Sequence, residues 1–143
     1  MNTELDQAVT ATPVADGERL NFLPWLFNRK FTAGEQAAYA WMSKLAAEDY
    51  HGGFWNFYKL SNGSGYMAPA EDKPFRVVND TNGFEGEMSA DAAGIVATLF
   101  AISTLFEVMP QGAALNGLID RYYALRDYAA GHKDVRAIFG AID

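Results

Sequence analysis

The stretch Asn82–Val108, NGFEGEMSADAAGIVATLFAISTLFEV, decides how this chain is read. In Phe84-Glu85-Gly86-Glu87-Met88 the even positions are apolar or small and the odd ones acidic. That is the period of a half-buried strand. Ser89 follows as an N-cap, and Asp91 puts negative charge where a helix dipole favours it. From Ala92 to Phe106 there is no charged residue. Ile95, Val96, Leu99, Phe100, Ile102, Leu105 and Phe106 cover most of the helical circumference, so this helix is expected to be buried on most sides. At ~1.5–3 kcal/mol per large side chain, their burial supplies roughly 10–20 kcal/mol gross. The run is shorter than the ~20 apolar residues of a membrane span, and no basic cluster flanks it.

Working outward on the N-terminal side, Phe54–Leu60, Tyr66–Ala68 and Phe75–Asn79 read as three further strands. They are joined by the turns Ser61–Gly65, Ala70–Lys73 and Asp80–Gly83. Short turns between successive strands predict a four-stranded antiparallel meander. Before it, Ala38, Trp41, Met42 and Leu45 predict a helix over Ala33–Glu48. Thr32 and Glu35 there have capping-box spacing, and His51-Gly52-Gly53 would end it. Leu20–Phe27 is an apolar segment expected to dock on the core, with Pro24 arguing against a helix through it. Residues 1–17 are small and polar and are expected as a flexible tail, leaving 18–143 as one domain. After the break at Pro110–Gly112, Leu115, Leu118, Ile119, Tyr122, Leu125 and Ala129 predict a helix over Ala114–Ala130, capped by Gly131. A short last helix is expected over Asp134–Ala141. The fold class expected is α+β, with a small antiparallel sheet packed against about four helices around the central apolar one.

The chain has 143 residues, a formal net charge of -7, no cysteine and only two histidines, His51 and His132. These totals exclude a disulfide framework, a thiolate metal site and a histidine-rich one. No metal or cofactor is expected. The charge disfavours strong DNA binding. It admits a DNA mimic as an alternative, but the acids are mixed with bases, as in Lys133-Asp134-Arg136. No secretory signal is visible, so a cytoplasmic monomer is expected.

Four features of the chain could carry chemistry. Glu85 and Glu87 would share a strand face with Cα atoms ~7 Å apart, a spacing that two carboxylates of a small hydrolase could use. A solvated face or a partner contact is the plainer reading. Ser61–Gly65 is glycine-rich, but it has no lysine and leads into a strand, so it reads as a hairpin turn and not as a phosphate cradle. His51 and His132 read as helix-terminal residues near the last carbonyls. Trp55, Phe57, Tyr58 and Tyr66 read as core. If a surface carries function, the residues to consider are Glu85, Glu87, Asp91, Trp55, Tyr58 and Tyr66.

The block Gly86–Ala101 (GEMSADAAGIVATLFA) resembles the signature of the ArdB/KlcA antirestriction proteins. Arg19–Pro24, Glu48–Tyr58, Leu60–Gly63, Tyr66–Pro69, Tyr123–Ala129 and Ile138–Asp143 fit the same family in order. The connection Glu107–Gly117 does not match. The resemblance implies a small protein of plasmids and mobile elements. Such a protein relieves host type I restriction of incoming DNA with little effect on modification, and does so without enzymatic chemistry. Its partner would be the host type I restriction system, met directly or indirectly. The family is distinct from the acidic DNA mimics, and no catalytic residues are carried over.

Overall fold

In the computed structural model, which describes residues 8–143, the elements run β1 (Ala11–Pro13), α1 (Arg19–Phe27), α2 (Phe31–Leu45), β2 (Trp55–Leu60), β3 (Gly65–Pro69), β4 (Pro74–Asn79), β5 (Phe84–Ser89), α3 (Ala90–Phe106), α4 (Ala113–Ala129) and α5 (Val135–Ile142). The fold is α+β, as expected. Ser89 caps α3 as read, its Oγ accepting the Ala92 amide at 3.0 Å. Ile95, Val96, Leu99, Ile102 and Leu105 are all buried, and Phe100 is half-buried, stacked on Trp41 at 4.5 Å. The buried side chains form one contiguous cluster drawn from every helix and from β2 to β5. No described helix is long and apolar enough to cross a membrane.

The expected meander is divided. β1, β2 and β3 form one antiparallel sheet, and β4 and β5 form a second. The reason lies on α3, which docks against the free edge of β3. There Thr98 Oγ1 accepts from the Met67 amide and donates to the Met67 carbonyl, both at 3.2 Å. Gly94 permits the approach, because a Cβ at that position would stand 2.3 Å from Ala68 Cβ. Pro69 and Pro74 bound the intervening turn, and neither has an N–H for a ladder. A helix thus occupies the place where β4 would have paired.

Three other expectations are corrected. The tail read over residues 1–17 is ordered in part: Ala11–Pro13 pairs with Leu60–Tyr58, and Asp16–Glu18 forms a 3-10 turn. The part over Met1–Gln7 lies outside the described residues. Pro24 sits inside α1. The carbonyl it deprives of a partner belongs to Leu20, which is 91% exposed, so water can serve it. The Thr32–Glu35 capping box does not form, because a 3-10 turn over Asn28–Lys30 runs directly into α2 and leaves Thr32 inside the first turn. Glu35 instead accepts the Tyr39 hydroxyl at 2.9 Å. Burial and this carboxylate push the Tyr39 phenol up to about 12.

Helix ends differ too. α2 stops at Leu45, and the chain turns so that the Asp49 carboxylate accepts the Arg76 amide at 2.7 Å. His51 therefore stands beyond the helix, exposed. Gly131 does not adopt the left-handed cap conformation; α4 unwinds through a turn in which the His132 amide reaches the Ala129 carbonyl at 3.1 Å.

Candidate functional site

The start of α3 is held by side chains from three parts of the chain. Asp91, in the first turn, accepts the Tyr66 hydroxyl on Oδ1 and His132 Nε2 on Oδ2, both at 2.8 Å. The Asp134 amide donates to His132 Nδ1 at 3.0 Å. Nδ1 is therefore bare and the proton sits on Nε2, which fixes a neutral imidazole donating to Asp91. Asp134 Oδ2 accepts the Ser89 hydroxyl at 2.8 Å and the Ser89 amide at 3.1 Å. Ser89 thereby caps α3 while tying it to the residue that precedes α5.

Electrostatics follow from this wiring. Burial first, and then the Asp91 charge, push the Tyr66 phenol far above its ordinary value. Tyr58, stacked on Tyr66 at 4.8 Å, is raised for the same two reasons. Burial works against the charged form of Asp134. The Ser89 hydroxyl and amide outweigh it, aided by the Lys133 charge, and hold the carboxyl below its usual range.

An open groove of about 540 Å³ lies against this corner, lined among others by Glu71, Asp72, Lys73, Glu87, Asp91, Lys133 and Asp134. Asp91 also lines a smaller depression with Tyr58, Glu71 and Asp72. Of the residues singled out from sequence, Glu87, Asp91 and Tyr58 are brought together here. Tyr66 reaches the site only through its hydroxyl, since its side chain is buried, and Trp55 is buried as well. Burial removes both from any contact surface. Trp55 instead donates from its indole to the Tyr50 hydroxyl at 3.0 Å.

Glu85 and Glu87 meet different surroundings. Arg76 takes the Glu85 carboxylate in an ion pair, and Glu85 does not line the groove that Glu87 lines. The loop Ser61–Gly65 is a hairpin turn, as read, and its Asn62 and Ser64 side chains donate to backbone carbonyls of α4. His132 and Asp134 were missed as site residues. The available signal was Asp134 as a polar residue immediately before a helix, next to one of only two histidines.

A family model described as "Antirestriction protein" matches residues 48–143. The chain belongs to the antirestriction protein family. The blocks that resembled the family before residue 48 are covered by full-length antirestriction relatives. A protein of Escherichia coli named "Antirestriction protein KlcA" is 49% identical over 144 residues, spanning 100% of both chains. "Putative antirestriction protein YubI" of Escherichia coli (strain K12) is 36% identical over 135 residues, covering 91% of this chain and 93% of its own. A solved structure matches at a TM-score of 0.87 with 50% identity over 100% of both chains. It is described as "The structure of the KlcA and ArdB proteins show a novel fold and antirestriction activity against Type I DNA restriction systems in vivo but not in vitro".

Proposed function

We propose that this chain relieves type I restriction of incoming DNA, and that it does so without enzymatic chemistry, by protein contacts made at the groove beside α3. The observation that carries the reading is the Asp91 corner. Its groups are satisfied by hydrogen bonds to one another, which suits a shaped contact surface more than a reacting centre. Glu87 and Asp91 present charge at the open groove, and Tyr58 lines the smaller depression that shares Asp91 with it. Lys73 and Lys133 stand among the acids, which weighs against DNA mimicry. The solved relative is described as active in vivo but not in vitro, which supports a contact with a component that purified enzyme and DNA do not supply.

The test is plating of unmodified phage on a host carrying a type I system. Expression of this chain is expected to restore plating. Glu87→Lys and Asp91→Asn are expected to reduce that protection while the protein remains folded by circular dichroism. Plating unchanged by the wild-type chain rejects the function. Full protection by both variants rejects the groove.

A further inference from the structure

A second surface, sharing no lining residue with that groove, is built on Trp25. Two cations lie on its indole: Arg121 of α4, with Cζ 3.9 Å from the ring centroid, and Lys59 of β2, with Nζ at 4.6 Å. Gly65 keeps the ring in its seat, since a Cβ there would stand 2.6 Å from the Tyr58 carbonyl oxygen and 2.9 Å from the indole. The Arg121 guanidinium also donates to the Gly63 carbonyl. Neither cation has a carboxylate within 4.0 Å among the described residues, although the chain carries 18 Asp and Glu. Burial lowers the Arg121 pKa, as it does for a charge desolvated without a counter-ion.

Arg121 and Trp25 open onto a cavity of about 290 Å³ that Asn28 and Asp120 also line. Asn28 holds φ 65 and ψ -150, a region that glycine occupies freely and other residues only under strain. Backbone strain of this kind persists where surrounding structure over-determines it, and it gathers at ligand clamps. A guanidinium held over an aromatic face, with one N–H group given to the Gly63 carbonyl, keeps further N–H groups for a carboxylate acceptor.

We infer that this cavity receives a carboxylate side chain from an acidic peptide segment of a partner protein, gripped by Arg121 over Trp25. A single carboxylate fits better than a phosphate, because Asp120 on the wall repels a dianion. The net charge of -7 likewise opposes a long polyanion. This binding stands apart from the restriction reading, so either can fail alone.

The experiment is fluorescence anisotropy of a labelled peptide of alternating Glu and Leu, titrated with the full chain at low salt. Saturable binding is expected. Arg121→Lys, which keeps the charge but loses the flat fork, should weaken it about tenfold. Lys59→Gln, at a more exposed position, should weaken it by about threefold. The inference is overturned by absence of saturable binding, by equal affinity in both variants, or by equal binding of a Gln/Leu peptide of the same length. Tighter binding of a labelled oligothymidylate would also overturn it, reassigning the site to phosphates.

Discussion

At the scale of single residues, the glycine with least room for a side chain among the described residues is Gly94, packed against β3. An alanine there gains about 1 kcal/mol of helix propensity. Its Cβ would meet Ala68 Cα at 2.5 Å and the Met67 carbonyl oxygen at 2.6 Å, and backbone cannot swing aside as a side chain can. Overpacking of this kind costs about 1–3 kcal/mol, occasionally more. The clash wins, and Gly94→Ala is expected to lower the unfolding free energy read from a urea titration by a net of about 1 kcal/mol or more. One turn further along, Thr98→Val strips both partners from the buried Met67 amide and carbonyl. At ~1–3 kcal/mol for each of the two orphaned groups, a loss of about 2–6 kcal/mol is expected. Thr98→Ser, which keeps the hydroxyl, should lose only about 1 kcal/mol in the same titration. The site was half legible at this scale. Ser89, Glu87 and Asp91 announce themselves beside a helix start. His132 lies 41 residues from Asp91, and only folding brings them together. Tyr66 was no surface anchor because every residue of β3 is buried, so alternation there carries no information about which side faces water, and Trp55 falls on the buried register of β2 with Phe57.

At the scale of elements, the reading succeeded where the pattern was long. α3, β2, β4 and β5 were placed within a residue or so of their observed bounds, because apolar periodicity and caps act locally. It failed where a distant element decided the outcome. The meander broke because α3 takes the edge of β3. Pro24 was tolerated because the carbonyl it orphans faces solvent. Neither fact is written in the neighbouring residues. The junction of α3 with α5 makes its own prediction. The Asp134 carboxyl is held below its usual range, so in the folded state it binds fewer protons than in the unfolded chain around its pKa. Its contribution is present above the unfolded carboxylate value of ~3.9 and is lost as pH falls through the lower folded value. The melting temperature should therefore be level from neutral pH to about 5 and fall below about 4. Asp134→Asn should start lower at neutral pH and show a shallower acid decline. Tyr66 works in the opposite sense. Its raised phenol stabilises the fold below about pH 10 and ceases to do so as pH rises further, so Tyr66→Phe should flatten the alkaline limb of the same profile.

At the scale of the whole molecule, the span of the family model and the span of the core disagree. The model begins at residue 48, after α1 and α2. Yet α2 packs along α3, and Phe22, Leu26, Phe27, Met42 and Leu45 are buried in the same cluster as α3. At ~1.5–3 kcal/mol per large side chain, those five supply roughly 8–15 kcal/mol of gross burial. A whole domain keeps only about 5–15 kcal/mol of net stability. A fragment of residues 48–143 would also expose one flank of a helix that is apolar nearly all round. It would leave the β4–β5 hairpin, marginal alone, resting on a loosened support. The fragment is therefore expected to lack a cooperative urea transition by far-UV circular dichroism, while the full chain unfolds in a single step with tryptophan fluorescence and ellipticity coincident. Trp25, Trp41 and Trp55 sit on α1, α2 and β2, so fluorescence reports on the part the fragment lacks as well as on the sheet. A sharp unfolding midpoint in the fragment, or separate transitions in the full chain, would mean that the helices before residue 48 are an appendage and not half of the enclosure around α3.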